Sequence, residues 1–302
     1  MMNKKRLIIF LTSTFILTWL YAIVFVYPYA NATTAAEISN LQIFMMGIMF
    51  IPAICVVITR LITKEGFKNN MMKPNFKGNI KIYLLAYFGP AVLTLVGAIV
   101  YFVIFPENFD INCSYLSKSY EEMGVDMSVT AMPMNLLMIS QAVTAIFFGP
   151  IINFFTCFGE EWAWRGYMVP KMAASMKTIP MLLVSGVIWG IWHAPLTIIG
   201  HNYGTGYWGY PFTGILGMCF FCTVIGIFMA YITLKTKSCI PAVLAHGAIN
   251  AFASIGVYFT FDGGNPFIGP APAGIIGAIG FIVVDIFLVK ALMKMENTVE
   301  VE

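Results

Sequence analysis

Apolar residues run along this chain in long blocks, not in the alternating or one-faced patterns of soluble strands and helices. A helix needs about 20 mainly apolar residues to cross a bilayer. Eight segments reach that length: 7–29, 41–62, 82–105, 136–160, 179–199, 212–234, 239–259 and 271–293. Backbone polar groups in lipid must bond within their own segment, and the blocks are too long for barrel strands, so each predicts a helix. The fold class expected is all-α: a polytopic membrane helix bundle with about eight transmembrane helices. No stretch reads as a soluble module, so residues 1–302 form a single integral membrane domain in this reading.

Charge placement orients the bundle. With a cytoplasmic amino terminus and alternating spans, every basic residue except Lys118 falls on the inner side: Lys4–Arg6, the lysine-rich 60–81 connection, 161–178, Lys235 and Lys237, and the tail. The outer loops hold acidic residues instead, among them Glu37, Glu107, Asp110, Asp126 and Asp262. This asymmetry matches the positive-inside rule and predicts that both termini are cytoplasmic. The first block follows a basic cluster and precedes Ala30-Asn31-Ala32, which looks like a signal-peptidase site; its length favours an uncleaved first helix. The composition agrees, at 59% hydrophobic and 10% charged with a mean hydropathy of +0.82. A net charge of +3 is too small to argue for nucleic acid.

Ionisable groups within membrane segments are costly and are candidates for function. Here they cluster. Glu160 and Glu161 end the fourth segment in Gly-Glu-Glu-Trp-Ala-Trp-Arg-Gly, with Arg165 four residues after Glu161. His193 follows Trp189 by four in the fifth, and Asn250 follows His246 by four in the seventh. Residues four apart share a helix face, so Glu161 can pair with Arg165 while Glu160 faces elsewhere. Three helices could then bring a carboxylate, two imidazoles and an amide together: a general base, hydrogen-bond donors and an oxyanion site. Residues 136–259 are the core carrying this candidate active site. One tension is depth. Counting from Ile179 puts His193 about 20 Å into the bilayer, whereas Glu160 and His246 lie nearer the inner face.

The three motifs, Glu-Glu-x-x-x-Arg, aromatic-x-x-x-His and His-x-x-x-Asn on successive membrane helices, resemble those of the CPBP family. That family comprises type II CAAX prenyl endopeptidases and the bacteriocin-processing or immunity membrane proteases of the Abi group. The resemblance covers roughly residues 159–250 and implies an intramembrane endopeptidase acting on membrane-associated peptides or protein tails, expected to enter from the inner leaflet. Carried over by position, Glu160 would activate water, His193 would orient it, and His246 with Asn250 would stabilise the oxyanion. Glu161 and Arg165 would support Glu160. The expected partners are the lipid bilayer and a peptide or protein substrate. The expected location is multi-pass in the membrane, the plasma membrane if the host is a bacterium.

Members have been described as glutamate-dependent and as metal-dependent. The reading favours no cofactor; if zinc is used, its ligands would be Glu160, His193 and His246, a donor set zinc accepts. Two other classes compete. A non-catalytic membrane scaffold or bacteriocin-immunity partner would use the same residues as interhelical hydrogen bonds. An ion-coupled carrier predicts repeat symmetry and broken helices in corresponding halves, neither visible in the sequence. Asp285 in the last segment reads as a structural hydrogen bond, His201 as without catalytic duty, and Gly186 with Gly190 as a site of close helix approach. Cys219 and Cys222 form a C-x-x-C without the context of a redox or metal motif.

Overall fold

The computed structural model describes residues 2–122, 124 and 132–301, which are mostly helical and contain no strand; Asp126 of the acidic loop lies outside them. The first block is α1 (Met2–Tyr21), continued by a π turn at 22–26. The second block is divided. α2 (Ala35–Ile48) starts from a Thr34–Glu37 capping box and stops before Met49–Phe50, where α3 (Ile51–Ile62) restarts with Pro52 in its first turn. Then come α4 (Ile80–Ile104) and the short α5 (Ser114–Glu122).

The expected fourth span is also broken. α6 (Met134–Ile152) ends at Asn153 and α7 (Phe154–Ala163) follows. A π turn at 164–168 leads into α8 (Val169–Ala173). The fifth block splits at His193 into α9 (Thr178–Trp192) and α10 (Ala194–Ile198). Pro195 explains that break, since it lacks the N–H that would reach back one turn and disfavours helix at the residue before it. α11 (Phe212–Thr236) is continuous, whereas α12 (Ile240–Phe252) yields at Ala253–Ser254 to α13 (Ile255–Tyr258). The last block starts late. Residues 271–278, held in turns around Pro272, Gly274 and Gly277, precede α14 (Ile279–Val301).

Among the described residues six stretches are long and apolar enough to cross a membrane: 2–29, 35–62, 80–104, 134–152, 212–236 and 240–258. Of the other two expected spans, α9 is apolar but shorter, and α14 carries Asp285, Lys290, Lys294 and Glu296. Large apolar side chains such as Val103, Ile152 and Phe155 are about three-quarters exposed on the outside of the bundle. In water such a surface would drive association; in lipid it is the solvent-facing surface.

Small residues let the helices touch. A Cβ on Gly186 or Gly190 of α9 would lie 2.5 Å or 2.4 Å from a backbone Cα of Thr223 or Cys219 on α11. This bears out the close approach read from the sequence. Gly280 meets the backbone of Leu93 in the same way. Without a hydrophobic drive between helices in lipid, such contacts supply the packing. Among the described residues the hydrogen bond expected for Asp285 is absent: the residue is buried and neither carboxyl oxygen has a partner there.

Candidate active site

Gly159 seats the acidic pair. A side chain there would collide with the backbone at the α2–α3 break, its Cβ 2.5 Å from the Met49 carbonyl oxygen, so α7 presses against that break and drives Glu160 and Glu161 inward. Both are buried, as is Arg165. Arg165 donates from Nη1 to Glu161 Oε1 at 2.9 Å, the pair expected from their spacing. The guanidinium lies over the Trp189 ring, 3.8 Å from its centroid, a stacking that a desolvated cation on an indole favours. Gly226 leaves room for it, since a Cβ there would be 3.1 Å from Arg165 Nη2.

The second bond to Glu161 comes from α12. His246 Nδ1 lies 2.9 Å from the same Oε1, while Glu161 Oε2 is buried without a partner among the described residues. A carboxylate can only accept here, so His246 carries its proton on Nδ1 and turns Nε2 away from Glu161. A Cβ on Gly247 would lie 3.1 Å from the Pro150 backbone of α6, so the glycine lets α12 come this close. Glu160 is held differently. Trp189 Nε1 donates to its Oε2 at 2.9 Å, and Oε1 carries no hydrogen bond from a described residue. Trp189 thus links the two carboxylates, bonding one and stacking on the cation that neutralises the other. Sequence reading placed Trp189 only on the face of His193. The extra signal was the indole N–H, a donor that a phenylalanine in the same motif position lacks.

His193 caps α9 at the break. Its Nδ1 is 2.9 Å from the Trp189 carbonyl oxygen, which fixes the tautomer with Nδ1–H donating and leaves a lone pair on Nε2. Cys222 Sγ is 3.8 Å from the same Nδ1. On α12, Asn250 donates weakly from Nδ2 to Cys157 Sγ at 3.6 Å and is otherwise exposed.

Glu160, His193, His246 and Asn250 all line one cavity of about 320 Å³, walled by Met45, Met49, Met218, Phe221 and Ile249. His201 also lines it, although sequence reading gave that residue no duty. Trp189, one turn before His193, is the residue that reaches Glu160, and His193 lies a turn further along. Ligand atoms within 4.8 Å of one another belong to Glu160, Glu161 and His246, so the group differs from the Glu160, His193, His246 set expected for zinc. Described hydrogen bonds already occupy Glu161 Oε1 and His246 Nδ1, and the guanidinium of Arg165 touches Glu161.

A third carboxylate, Glu65, organises the basic end of the bundle. It accepts from Tyr167 and Lys171 and pairs with Arg6 and Arg60, tying α1, α3, the π turn and α8 together. Burial pushes its carboxyl up, but the bonds from Lys171 and Tyr167 and the nearby cations outweigh that and hold it below the usual range.

No curated protein matches the chain. The model of the Rce1-like family, described as type II CAAX prenyl endopeptidase, matches residues 142–252, from within α6 to the end of α12. That match spans all three motifs and bears out the resemblance to CPBP membrane proteases.

Proposed function

We propose that this protein is an intramembrane endopeptidase that cuts membrane-associated peptides or protein tails with a water activated by Glu160. The single observation that carries the reading is the convergence of Glu160, His193, His246 and Asn250, from three separate stretches of helix, on one cavity. In this reading the chain crosses the bilayer eight times with both ends in the cytoplasm, α9–α10 and α14 supplying the two further spans.

The chemistry follows from the donors and acceptors. Water placed between Glu160 Oε1 and His193 Nε2 finds two acceptors, which orient its lone pair toward a substrate carbonyl. Glu160 takes one proton as the oxygen attacks and later returns it to the departing amine nitrogen. Asn250 Nδ2 and a protonated His246 Nε2 stabilise the oxyanion. As an imidazolium, His246 joins Arg165 to balance the charges of Glu160 and Glu161, so the buried quartet is neutral. This arrangement favours a metal-free mechanism: a cation bound at Glu160, Glu161 and His246 would face Arg165 across Glu161 and compete for an oxygen already doubly bonded.

The test compares membranes from cells carrying wild type, Glu160→Gln and His246→Ala at equal protein levels, with peptides quantified by mass spectrometry. Loss of the general base is expected to lower cleavage about 10²–10⁴-fold, and wild-type activity should survive a chelator. Full cleavage in both variants would refute the assignment.

A further inference from the structure

The cavity has a closed end, lined by buried residues, and an open one. Among its lining residues Glu160, Trp189, His193 and His246 are buried. The lining residues that are exposed are Met46, Asn202, Asn250 and Ser254. Behind the closed end the bundle is sealed. Trp162 donates to the Asn70 carbonyl, the Cys239 N–H to Met71, and the Asn75 amide to Thr236, so the 60–79 connection lies across the ends of α7, α11 and α12. The Glu65 cluster closes the same face.

Charge says which face is which. The sealing connection holds Lys64, Lys68, Lys73 and Lys77, α9 begins beside Lys177, and Lys235 and Lys237 precede α12. Asn202 lies between α10 and α11, at the far end of α11 from Lys235. Ser254 is past the end of α12, about 21 Å from its basic start at ~1.5 Å per residue. No Lys or Arg lines the cavity. Connections rich in lysine stay in the cytoplasm.

Resting on the peptidase reading, we propose that the cavity opens outward, so the enzyme takes peptide segments presented from the extracytoplasmic side or outer leaflet, not tails reaching it from the cytoplasm. This proposal differs from the entry from the inner leaflet that the motifs alone led us to expect. The substrate class becomes exported peptides and the outer ends of membrane proteins. The acidic residues on that side, Glu37, Glu107 and Asp262, favour basic segments over acidic ones.

Single cysteines test this in the full-length protein in intact cells. Asn202→Cys and Ser254→Cys report on the mouth and Lys68→Cys on the sealed face; the six native cysteines are buried. A membrane-impermeant maleimide added outside is expected to label both mouth variants and to reach Lys68→Cys only after permeabilisation. Modified Ser254→Cys should lose cleavage relative to its own unlabelled sample. Mouth cysteines labelled only from the inside, or from neither side, overturn the proposal. If labelling comes out as expected while wild type and Glu160→Gln give identical peptide profiles, the outward mouth stands and the peptidase reading falls.

Discussion

Replacing Arg165 with methionine isolates the energetic centre of the site. Met has similar length and no charge, so the change leaves Glu161 buried with one oxygen bonded only by His246 and the other already unpartnered. Removing one partner of a buried ion pair costs about 3–5 kcal/mol, because the remaining charge is left uncompensated. Loss of the stack on Trp189, 3.8 Å away, acts in the same direction. At about 2–4 °C per kcal/mol for a chain of this order of size, melting should fall by roughly 10 °C. The assay is thermal unfolding in detergent, followed through the fluorescence of the six tryptophans. Glu161→Gln combined with Arg165→Met removes both charges and should recover much of the lost stability, since two neighbours in one network are not additive. Cleavage should stay low in the double variant, because His246 no longer has a carboxylate behind it. A wild-type melting temperature for Arg165→Met, or a double variant no more stable than the single, would show that the pair does not hold the site.

Gly190→Ala puts a Cβ 2.4 Å from the Cys219 Cα, so α9 must shift; a cost of about 1–3 kcal/mol is expected. The displacement of Trp189 and His193 should lower cleavage about 10²-fold, measured as kcat/KM on a reporter peptide. Trp189→Phe keeps the ring under Arg165 but deletes the N–H that positions Glu160. A hydrogen bond to a charged group is worth about 1.5–3 kcal/mol, so kcat should drop roughly tenfold or more with KM little changed; a change confined to KM would assign the indole to substrate binding. Glu65 is held below the usual carboxylate range, so its stabilisation is present at neutral pH and is lost as the pH falls below about 4. Melting curves should therefore drop on acidification in wild type and less so in Glu65→Gln.

The helical blocks and the three motifs were legible because both are local: apolar length marks a span, and a four-residue spacing marks a face. What escaped is tertiary or depends on single residues. Pro195 breaks the fifth block at His193, yet a proline within an apolar run does not say whether the helix kinks or ends. The partner of His246 proved to be Glu161, with Glu160 taken by Trp189. Spacing alone leaves two adjacent glutamates interchangeable, and only the approach of α12 against α6 decides between them. Asp285 was read as hydrogen-bonded because buried carboxylates usually are; its isolation depends on what α14 packs against. His201 entered the cavity through the course of a loop, for which neither periodicity nor a motif gave a sign.

The interrupted helices have a consequence for how water reaches a reaction performed inside oil. Each peptide bond cut consumes one H₂O molecule, and hydrocarbon supplies almost none. An unbroken helix presents a greasy cylinder, but at His193 and at Ala253–Ser254 the regular spiral stops, a geometry tolerated at membrane depth only where it is buried in protein or lines a water-filled cavity. Both stops border the same chamber. Straightening the first of them, the aim of Pro195→Ala, should dry the interior and starve the hydrolysis with no acid or base removed from the chain.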